Sequence, residues 1–295
     1  MMQTKRENLT AYMFLAPALI VFSTLVLFPV VFSFVLSFTE WNFLSGIKGI
    51  FFVGLRNFKD LTQDTTFKFA VKNTFFYTVT TVPVTIAISL ILAFALDRQR
   101  FLKRSLRLMY FTPFISNTVA LATIFQYLFR EEGPVNMMLQ IVGMQDLPRW
   151  LSNSSLNRIP IALLLIWTGI GFQLLVYMAA LQDIPQSLYE AADIDGASET
   201  VKFFRITVPL ISPATFYLVM LRIMAVFKVF TSINIITQGT AARSNTSIVV
   251  RIYTEAFGSY KFGYASAAAW VLFAIILIFT LVQFWGEKRW VHYDN

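Results

Sequence analysis

The amino-acid sequence predicts an all-α integral membrane protein with six transmembrane helices. Hydrophobic residues make up 57% of its 295 residues and charged residues only 14%, whereas soluble domains contain about 25% charged residues. The hydrophobic residues also gather into runs of the length that a helix needs to cross a bilayer, about 20 residues. Lipid is therefore the expected solvent for most of the surface.

Six stretches of the chain contain no Asp, Glu, Lys or Arg. They are residues 11–39, 73–96, 108–129, 159–182, 206–221 and 262–286. The first is much longer than the hydrophobic region of a signal peptide, about 7–15 residues, which predicts an uncleaved anchor. The fifth is short, but hydrophobic residues resume after Arg222 and Lys228. We therefore expect one long helix from about Phe203 to Ile233 that carries two interior cations.

The distribution of Lys and Arg predicts the orientation, because these residues are enriched in cytoplasmic loops. The densest group lies between the second and third predicted spans and comprises Arg98, Arg100, Lys103, Arg104 and Arg107. This connection is predicted to be cytoplasmic. Six spans then place both termini in the cytoplasm, in agreement with Lys5 and Arg6 before the first span and Lys288 and Arg289 after the last.

Composition and motifs argue against several classes of function. The formal net charge is +8, but the cations are scattered between apolar runs, which favours anionic lipid headgroups over nucleic acid as partners. The chain has no cysteine and a single histidine, His292, so no catalytic set stands out. Asp193 and Asp195 are too poorly placed on one helix to converge on a metal ion. The G-x-x-x-x-G-K-[ST] phosphate loop is absent. We therefore predict a chain that is not an enzyme and itself binds no cofactor or metal.

The connection between the fourth and fifth spans, residues 187–209, has the pattern of a helix, a turn and a second helix. Ser187 and Glu190 have the spacing of a capping box, and Gly196 supplies the backbone freedom for a sharp turn. Alanines leave little bulk on the surface of the first helix. Such a helix, with a carboxylate at one end, can seat in a groove of another protein. The segment is therefore predicted to be a docking element.

The same connection closely resembles the EAA loop of the permease subunits of ABC importers. The matching positions are Glu190-Ala191-Ala192, Gly196, Ile206 and Val208-Pro209. The family usually has Leu at position 208, which is a mild departure. Similar segments within and beside the motif, residues 181–185, 203–211 and 262–267, favour the first permease subunit of the maltose and multiple-sugar type. The resemblance covers residues 70–285 and extends to residue 10.

Two positions depart from the pattern of the sugar importers. Thr237-Gln-Gly-Thr240 stands where the family often has Thr-x-Gly-Gly-Pro, and Phe230-Thr231 stands where it often has Phe-Asp. These departures weaken the assignment of a sugar subtype but leave the resemblance to permeases intact.

The resemblance implies a type I (MetI-like) ABC-importer permease fold in the bacterial inner membrane. The segments would be an N-terminal anchor helix with an external loop (1–69), the permease core with the coupling loop at 187–209 (70–285) and a cytoplasmic tail (286–295). Besides membrane lipid, the implied partners are a second permease subunit that completes a heterodimer, two ATPase subunits that bind ATP and Mg²⁺, and an extracytoplasmic sugar-binding protein.

The resemblance also implies which residues act. The expected ATPase-docking residues are Glu190, Ala191, Ala192, Asp195 and Gly196. Glu190 is expected to make the ionic contact. The helices before and after the EAA loop line the sugar site in the family, which selects Gly169, Phe172, Arg222 and Ala225 for the substrate path. Lys228 joins them as the second ionisable residue of the predicted fifth span.

The two cations Arg222 and Lys228 also have a purely structural explanation. They could reach the membrane interface, or pair with carbonyl groups of the partner permease. If they line the path instead, an acidic sugar or a phosphorylated polyol is favoured over a neutral sugar.

The alternative to an ABC permease is an ion-coupled secondary transporter. Such transporters are often built from inverted repeats or from helices broken at the middle of the membrane. The sequence predicts neither feature.

Overall fold

The computed structural model describes residues 2–97, 103–239 and 242–291, and most of these residues are helical. The α-helices are α1 (Met2–Phe22), α2 (Phe28–Ser37), α3 (Arg56–Gln63), α4 (Thr65–Asp97), α5 (Lys103–Ile115), α6 (Thr118–Leu128), α7 (Pro134–Ile141), α8 (Arg158–Gln182), α9 (Gln186–Ile194), α10 (Glu199–Lys202), α11 (Val208–Leu210), α12 (Ser212–Phe227), α13 (Thr231–Ile236), α14 (Ile248–Tyr253) and α15 (Phe262–Trp290). Of the predicted features, Arg98, Arg100, Thr240 and His292 lie outside the described residues.

Shorter elements connect these helices. Single π-helical turns occupy Ser23–Leu27, Phe203–Thr207 and Thr254–Gly258, and 3₁₀ turns occupy Phe43–Ser45 and Ile47–Gly49. Two short strands, β1 (Thr39–Glu40) and β2 (Phe51–Phe52), pair antiparallel with Thr39 opposite Phe52.

The helices account for the predicted membrane spans. Four helical stretches are long and apolar enough to cross a bilayer by themselves, namely residues 10–37, 65–96, 158–182 and 262–288. Two further pairs pass the same test together, 108–115 with 118–128 and 199–210 with 212–227. Each pair is sharply bent. Counting each bent pair as one span gives six spans in the described chain, and the protein is a multi-pass membrane protein.

The prediction of one long helix from Phe203 to Ile233 is wrong. The chain bends by 67° where α11 meets α12, and α12 ends at Phe227. The bend lies at Ile211, just before Pro213. Proline has no N–H to donate to the carbonyl four residues earlier, and its ring clashes with that carbonyl, which kinks or breaks a helix. Pro213 lies in the first turn of the new helix α12, where a missing N–H is tolerated.

The third span is bent as well, by 105° between α5 and α6. The side chain of Asn117 accepts a hydrogen bond of 2.8 Å from the N–H of Val119 and so caps the new helix. The expectation of unbroken helices is therefore wrong for two of the six spans. Broken helices by themselves do not separate an ABC permease from a secondary transporter here.

Residues Thr65–Arg251 and Ala274–Asn295 form one compact unit. Its core is the long pairing of α4 with α8, against which α5 and α12 also pack. Tyr77 and Tyr177 are fully buried there. Their hydroxyl groups donate to the carbonyl of Asn245 at 3.0 Å and to the hydroxyl of Thr215 at 3.2 Å. Such partners are needed because a polar group without one is costly in a membrane interior.

Residues Met1–Asp64 and Ile252–Phe273 form a second unit. The Asn57 side chain donates to the carbonyl oxygens of Ser37 at 2.9 Å and Thr39 at 2.8 Å. Gly263 lies so close to Thr39 that an added Cβ would overlap the Thr39 carbonyl oxygen. Tyr264 donates to the carboxylate of Asp64 at 2.6 Å. These contacts fix the β1 region and the start of α15 within this unit.

Candidate functional site

The first helix of the predicted docking segment is α9, which starts two residues earlier than the capping box requires. Pro185 precedes its first residue, with an extended ψ of 127°. Ser187 lies inside the first turn, and none of the described side chains caps this helix end. The predicted capping box at Ser187 and Glu190 is therefore wrong. The structure places a side-chain cap instead on α10, where Ser198 accepts from the N–H of Val201 at 3.4 Å.

The turn predicted at Gly196 is confirmed. Gly196 has a φ of +72°, and its N–H donates to the carbonyl of Asp193 at 3.1 Å while that of Ala197 donates to Ala192 at 2.9 Å. These two bonds form a Schellman motif, which ends a helix with a left-handed residue. An added Cβ at Gly196 would meet open space, so backbone conformation selects glycine there, not crowding.

The predicted docking residues divide between the surface and the interior of the segment. Glu190, Ala191, Asp195 and Gly196 are exposed. Ala192 is 8% exposed and faces inward. The structure therefore presents two carboxylates and a small alanine on one exposed helix and turn, and uses the second alanine for packing.

Lys202 holds the two sides of the turn together, and the sequence analysis missed it. This residue is only 5% exposed. Its Nζ atom donates to the carboxylate of Asp193 on α9 and to the carboxylate of Glu199 at 2.9 Å. The pair with Glu199 has i,i+3 spacing, which is a signal that sequence reasoning could have used. The pair with Asp193 crosses the turn and depends on its geometry.

A second contact ties α9 to the π-helical turn at Phe203–Thr207. The hydroxyl groups of Tyr189 and Thr207 lie 2.9 Å apart. Next to this contact is an open cavity of about 480 Å³, lined in part by Gln186, Tyr189, Asp193 and Lys202. Side-chain contacts therefore join α9 to α10 and to the π-helical turn. From here on we use the name coupling loop for residues 186–207, which overlap the predicted segment 187–209.

A smaller cavity, of about 140 Å³, lies among the membrane-spanning helices α5, α8 and α12. We call it the membrane cavity. Four of the predicted path residues line it, namely Gly169, Phe172, Arg222 and Ala225. The structure does not bring Lys228 to them. Lys228 follows the last residue of α12 and is exposed, because the helix ends there and does not continue to Ile233.

Arg222 and Gly169 are in direct contact across the membrane cavity. A Cβ added at Gly169 would lie 2.6 Å from Cζ and 2.7 Å from Nη2 of Arg222. The Nη2 atom donates to the carbonyl oxygen of Leu165. The Nε atom is buried and has no hydrogen-bond partner among the described residues. Glycine at position 169 therefore makes room for the guanidinium group, which keeps unused donor capacity.

Comparison with known proteins identifies the family of the chain. The family model described as "binding-protein-dependent transport system inner membrane component" matches residues 85–292. The chain belongs to this family. Its fold is the MetI-like permease fold of ABC importers, and both the coupling loop and the membrane cavity lie within the matched residues.

Individual relatives within the family include carbohydrate permeases. The probable ABC transporter permease YesP of Bacillus subtilis is 31% identical, over 99% of this chain and 94% of its own. The lactose transport system permease LacF of Rhizobium radiobacter is 29% identical, over 98% and 99%. The arabinooligosaccharides transport system permease AraP of B. subtilis is 31% identical, over 92% and 86%.

A solved structure supports the same fold. One chain of a bacterial ABC transporter involved in the import of the acidic polysaccharide alginate matches with a TM-score of 0.85. The match covers 97% of this chain and 98% of that chain, at 23% sequence identity.

Proposed function

We propose that this chain is the permease subunit of an ATP-driven importer, and that it translocates a carbohydrate delivered by an extracytoplasmic binding protein. The observation that carries the proposal is the braced coupling loop, which presents Glu190 and Asp195 on an exposed surface. Membership of the family and the names of the lactose and arabinooligosaccharide relatives support carbohydrate as the cargo.

The coupling loop is expected to be rigid enough to transmit the movement of a bound partner. Its turn is fixed by the Schellman motif at Gly196, and its two sides are joined by Lys202. A partner that grips Glu190 would therefore move the loop as one body. In this proposal two ATPase subunits bind ATP and Mg²⁺ and contact the loop. ATP is therefore hydrolysed in those subunits and not in this chain.

A movement of the coupling loop would be transmitted to the membrane-spanning region through consecutive helices. The coupling loop continues through α11 into α12, which carries Arg222 and Ala225 of the membrane cavity. Two positions of the loop would then favour two arrangements of the cavity, which is a coupling between distinct sites through packed structure. A second permease subunit would complete the path as a heterodimer.

The proposed location is the bacterial inner membrane, with the coupling loop and both termini in the cytoplasm. The many Lys and Arg residues between the second and third spans support this orientation. The binding protein would meet the opposite face of the membrane.

Transport assays in intact cells test the proposal. A strain that lacks the chromosomal gene would take up labelled oligosaccharides, lactose and arabinooligosaccharides among them, only when the chain is restored. Uptake is expected to survive an ionophore that collapses the proton gradient and to stop when cellular ATP is depleted. The reverse pattern would identify an ion-coupled secondary transporter.

A further inference from the structure

Arg222 is a cation within a membrane-spanning helix, and it lines the membrane cavity. An arginine stays protonated in proteins, and a charge removed from water is costly unless a counter-charge or several hydrogen bonds compensate it. None of the carboxylates in the described chain forms an ion pair with Arg222. The described pairs involve Glu40, Glu131, Asp193 and Glu199 instead. The counter-charge for Arg222 is thus expected from another molecule.

The hydrogen bonds of Arg222 leave room for such a molecule. A guanidinium group has five N–H donors. One nitrogen, Nη2, donates to the Leu165 carbonyl, and the buried Nε has no partner among the described residues. Carboxylate and phosphate groups accept two parallel N–H bonds from arginine, and this geometry suits them better than a neutral hydroxyl group.

The walls of the membrane cavity also suit one end of a sugar. Phe114 and Phe172 stack with ring centroids 5.5 Å apart and form an apolar side. Gln173 is 2% exposed and lies on the polar side, where its Oε1 atom accepts from Ser89 at 3.3 Å. Gly169 allows the guanidinium group to approach α8 closely. The cavity therefore combines an aromatic face, an amide and a cation.

The size of the membrane cavity limits what it can hold. Its volume of about 140 Å³ is below the roughly 300–1,000 Å³ of pockets that enclose a whole ligand. It is well above the ~10–15 Å³ needed for one water molecule. The cavity can accept one charged substituent or one ring, with the rest of the solute outside it.

We propose that Arg222 and the membrane cavity bind the anionic group, a carboxylate or a phosphate, of the carbohydrate that is transported. This inference rests on the proposed function and specifies its substrate class. The rival is a carboxylate of the second permease subunit that pairs permanently with Arg222, in which case added anionic sugars have no site here.

Thermal denaturation of the purified complex with its ATPase subunits tests the inference without the binding protein. The probes are two matched pairs, galacturonate with galactose and glucose 6-phosphate with glucose, all at the same ionic strength. A ligand that binds the native state raises its denaturation midpoint. The variants are Arg222→Gln, Arg222→Lys and Gly169→Ala. Arg130→Gln is the control, because it removes an arginine that is exposed outside the membrane cavity.

In the unaltered complex, at least one anionic probe is expected to raise the midpoint more than its neutral partner. The pair that responds identifies carboxylate or phosphate as the group bound. Arg222→Gln should weaken binding of the anion about tenfold or more, because the anion loses its charge-assisted hydrogen bonds. Arg222→Lys should weaken it less. Gly169→Ala should also weaken it, because the added methyl group displaces the guanidinium.

Three results would overturn the inference. One is that neither anionic probe shifts the midpoint beyond its neutral partner. Another is that the shift persists in Arg222→Gln, and the third is that Arg130→Gln removes it equally. Co-purification of the ATPase subunits is scored in the same preparations. Its failure would refute the proposed function itself, whereas an intact complex without an anion effect refutes only the substrate class.

Discussion

The Nζ atom of Lys202 donates to the carboxylate of Asp193 across the turn at Gly196. This ion pair joins the two helices of the coupling loop, and the second pair, to Glu199, keeps Lys202 in place. The two carboxylate side chains remain about 60% exposed, at 61% and 58%. Salt can therefore screen these two ion pairs, and mutations can remove them without changing the membrane-spanning core.

Removing the charge of Lys202 should loosen the coupling loop. Lys202→Met keeps the aliphatic stem but loses both ion pairs, so we expect faster cleavage of the loop by a protease and less uptake per ATP hydrolysed. Lys202→Arg retains the charge and should behave like the unaltered chain. Equal cleavage and equal coupling in both variants would show that the brace has no mechanical role.

Gly196→Ala should destabilise the turn through the backbone alone. A non-glycine residue in the left-handed region costs about 1–2 kcal/mol, and no crowding adds to that cost because the site is open. Asparagine tolerates this conformation better, so Gly196→Asn should retain more uptake than Gly196→Ala. The measurement is uptake at equal amounts of membrane-inserted chain. Indistinguishable variants would contradict the conformational explanation.

Glu190→Lys should prevent capture of the ATPase subunits. Glu190 is exposed on α9, so reversing its charge changes the docking surface and leaves the core of the chain intact. Glu132→Lys provides the matched control, since Glu132 is an exposed glutamate outside the coupling loop. Affinity purification followed by quantification of the ATPase subunits gives the result. Normal recovery of the ATPase subunits with Glu190→Lys would show that this residue does not take part in docking.

Gly263→Ala should destabilise the unit that contains β1. The added Cβ would overlap the Thr39 carbonyl oxygen, and such overpacking costs about 1–3 kcal/mol. Gly258→Ala is the control, because its Cβ would lie 3.7 Å from the Thr254 side chain in ordinary contact. Thermal denaturation in detergent compares the two. A Gly263→Ala midpoint equal to that of the control would argue against the close approach.

Cysteine labelling tests the orientation directly, and the absence of native cysteine makes each label unique. Thr200→Cys lies in the coupling loop and Ser154→Cys lies between α7 and α8, both at exposed positions. In intact spheroplasts, a membrane-impermeant maleimide should label Ser154→Cys and spare Thr200→Cys until the membrane is opened. Labelling of Thr200→Cys from outside would place the coupling loop on the wrong face for an ATPase.

The sequence was sufficient for the features that depend on composition or on one residue's backbone preference. The hydrophobic runs located all six spans, and Gly196 located the turn. The sequence did not predict the break at Ile211. The apolar residues on both sides of Pro213 form a long hydrophobic run, and this run indicates a continuous helix. The ion pair between Lys202 and Asp193 was also not predicted, because it forms only when the turn brings the two helices together.

The membrane cavity shows both what the sequence predicts and what it does not. The resemblance to known permeases selects Gly169 and Arg222, but their contact depends on how α8 packs against α12, which no local sequence pattern encodes. The prediction that Lys228 shares the path with Arg222 requires one unbroken helix. Once α12 ends at Phe227, Lys228 has no reason to share an environment with Arg222.

The bend at Ile211 affects how a small movement of the coupling loop arrives at Arg222. Arg222 lies eleven residues beyond Ile211 along α12, about 16 Å at a rise of about 1.5 Å per residue. A pivot of about 5° at this corner would sweep Arg222 sideways by about 1.4 Å, at that helical rise. A displacement of this size exceeds the distance tolerance of a hydrogen bond, so a small tilt of the loop would break the bond between Arg222 and the Leu165 carbonyl.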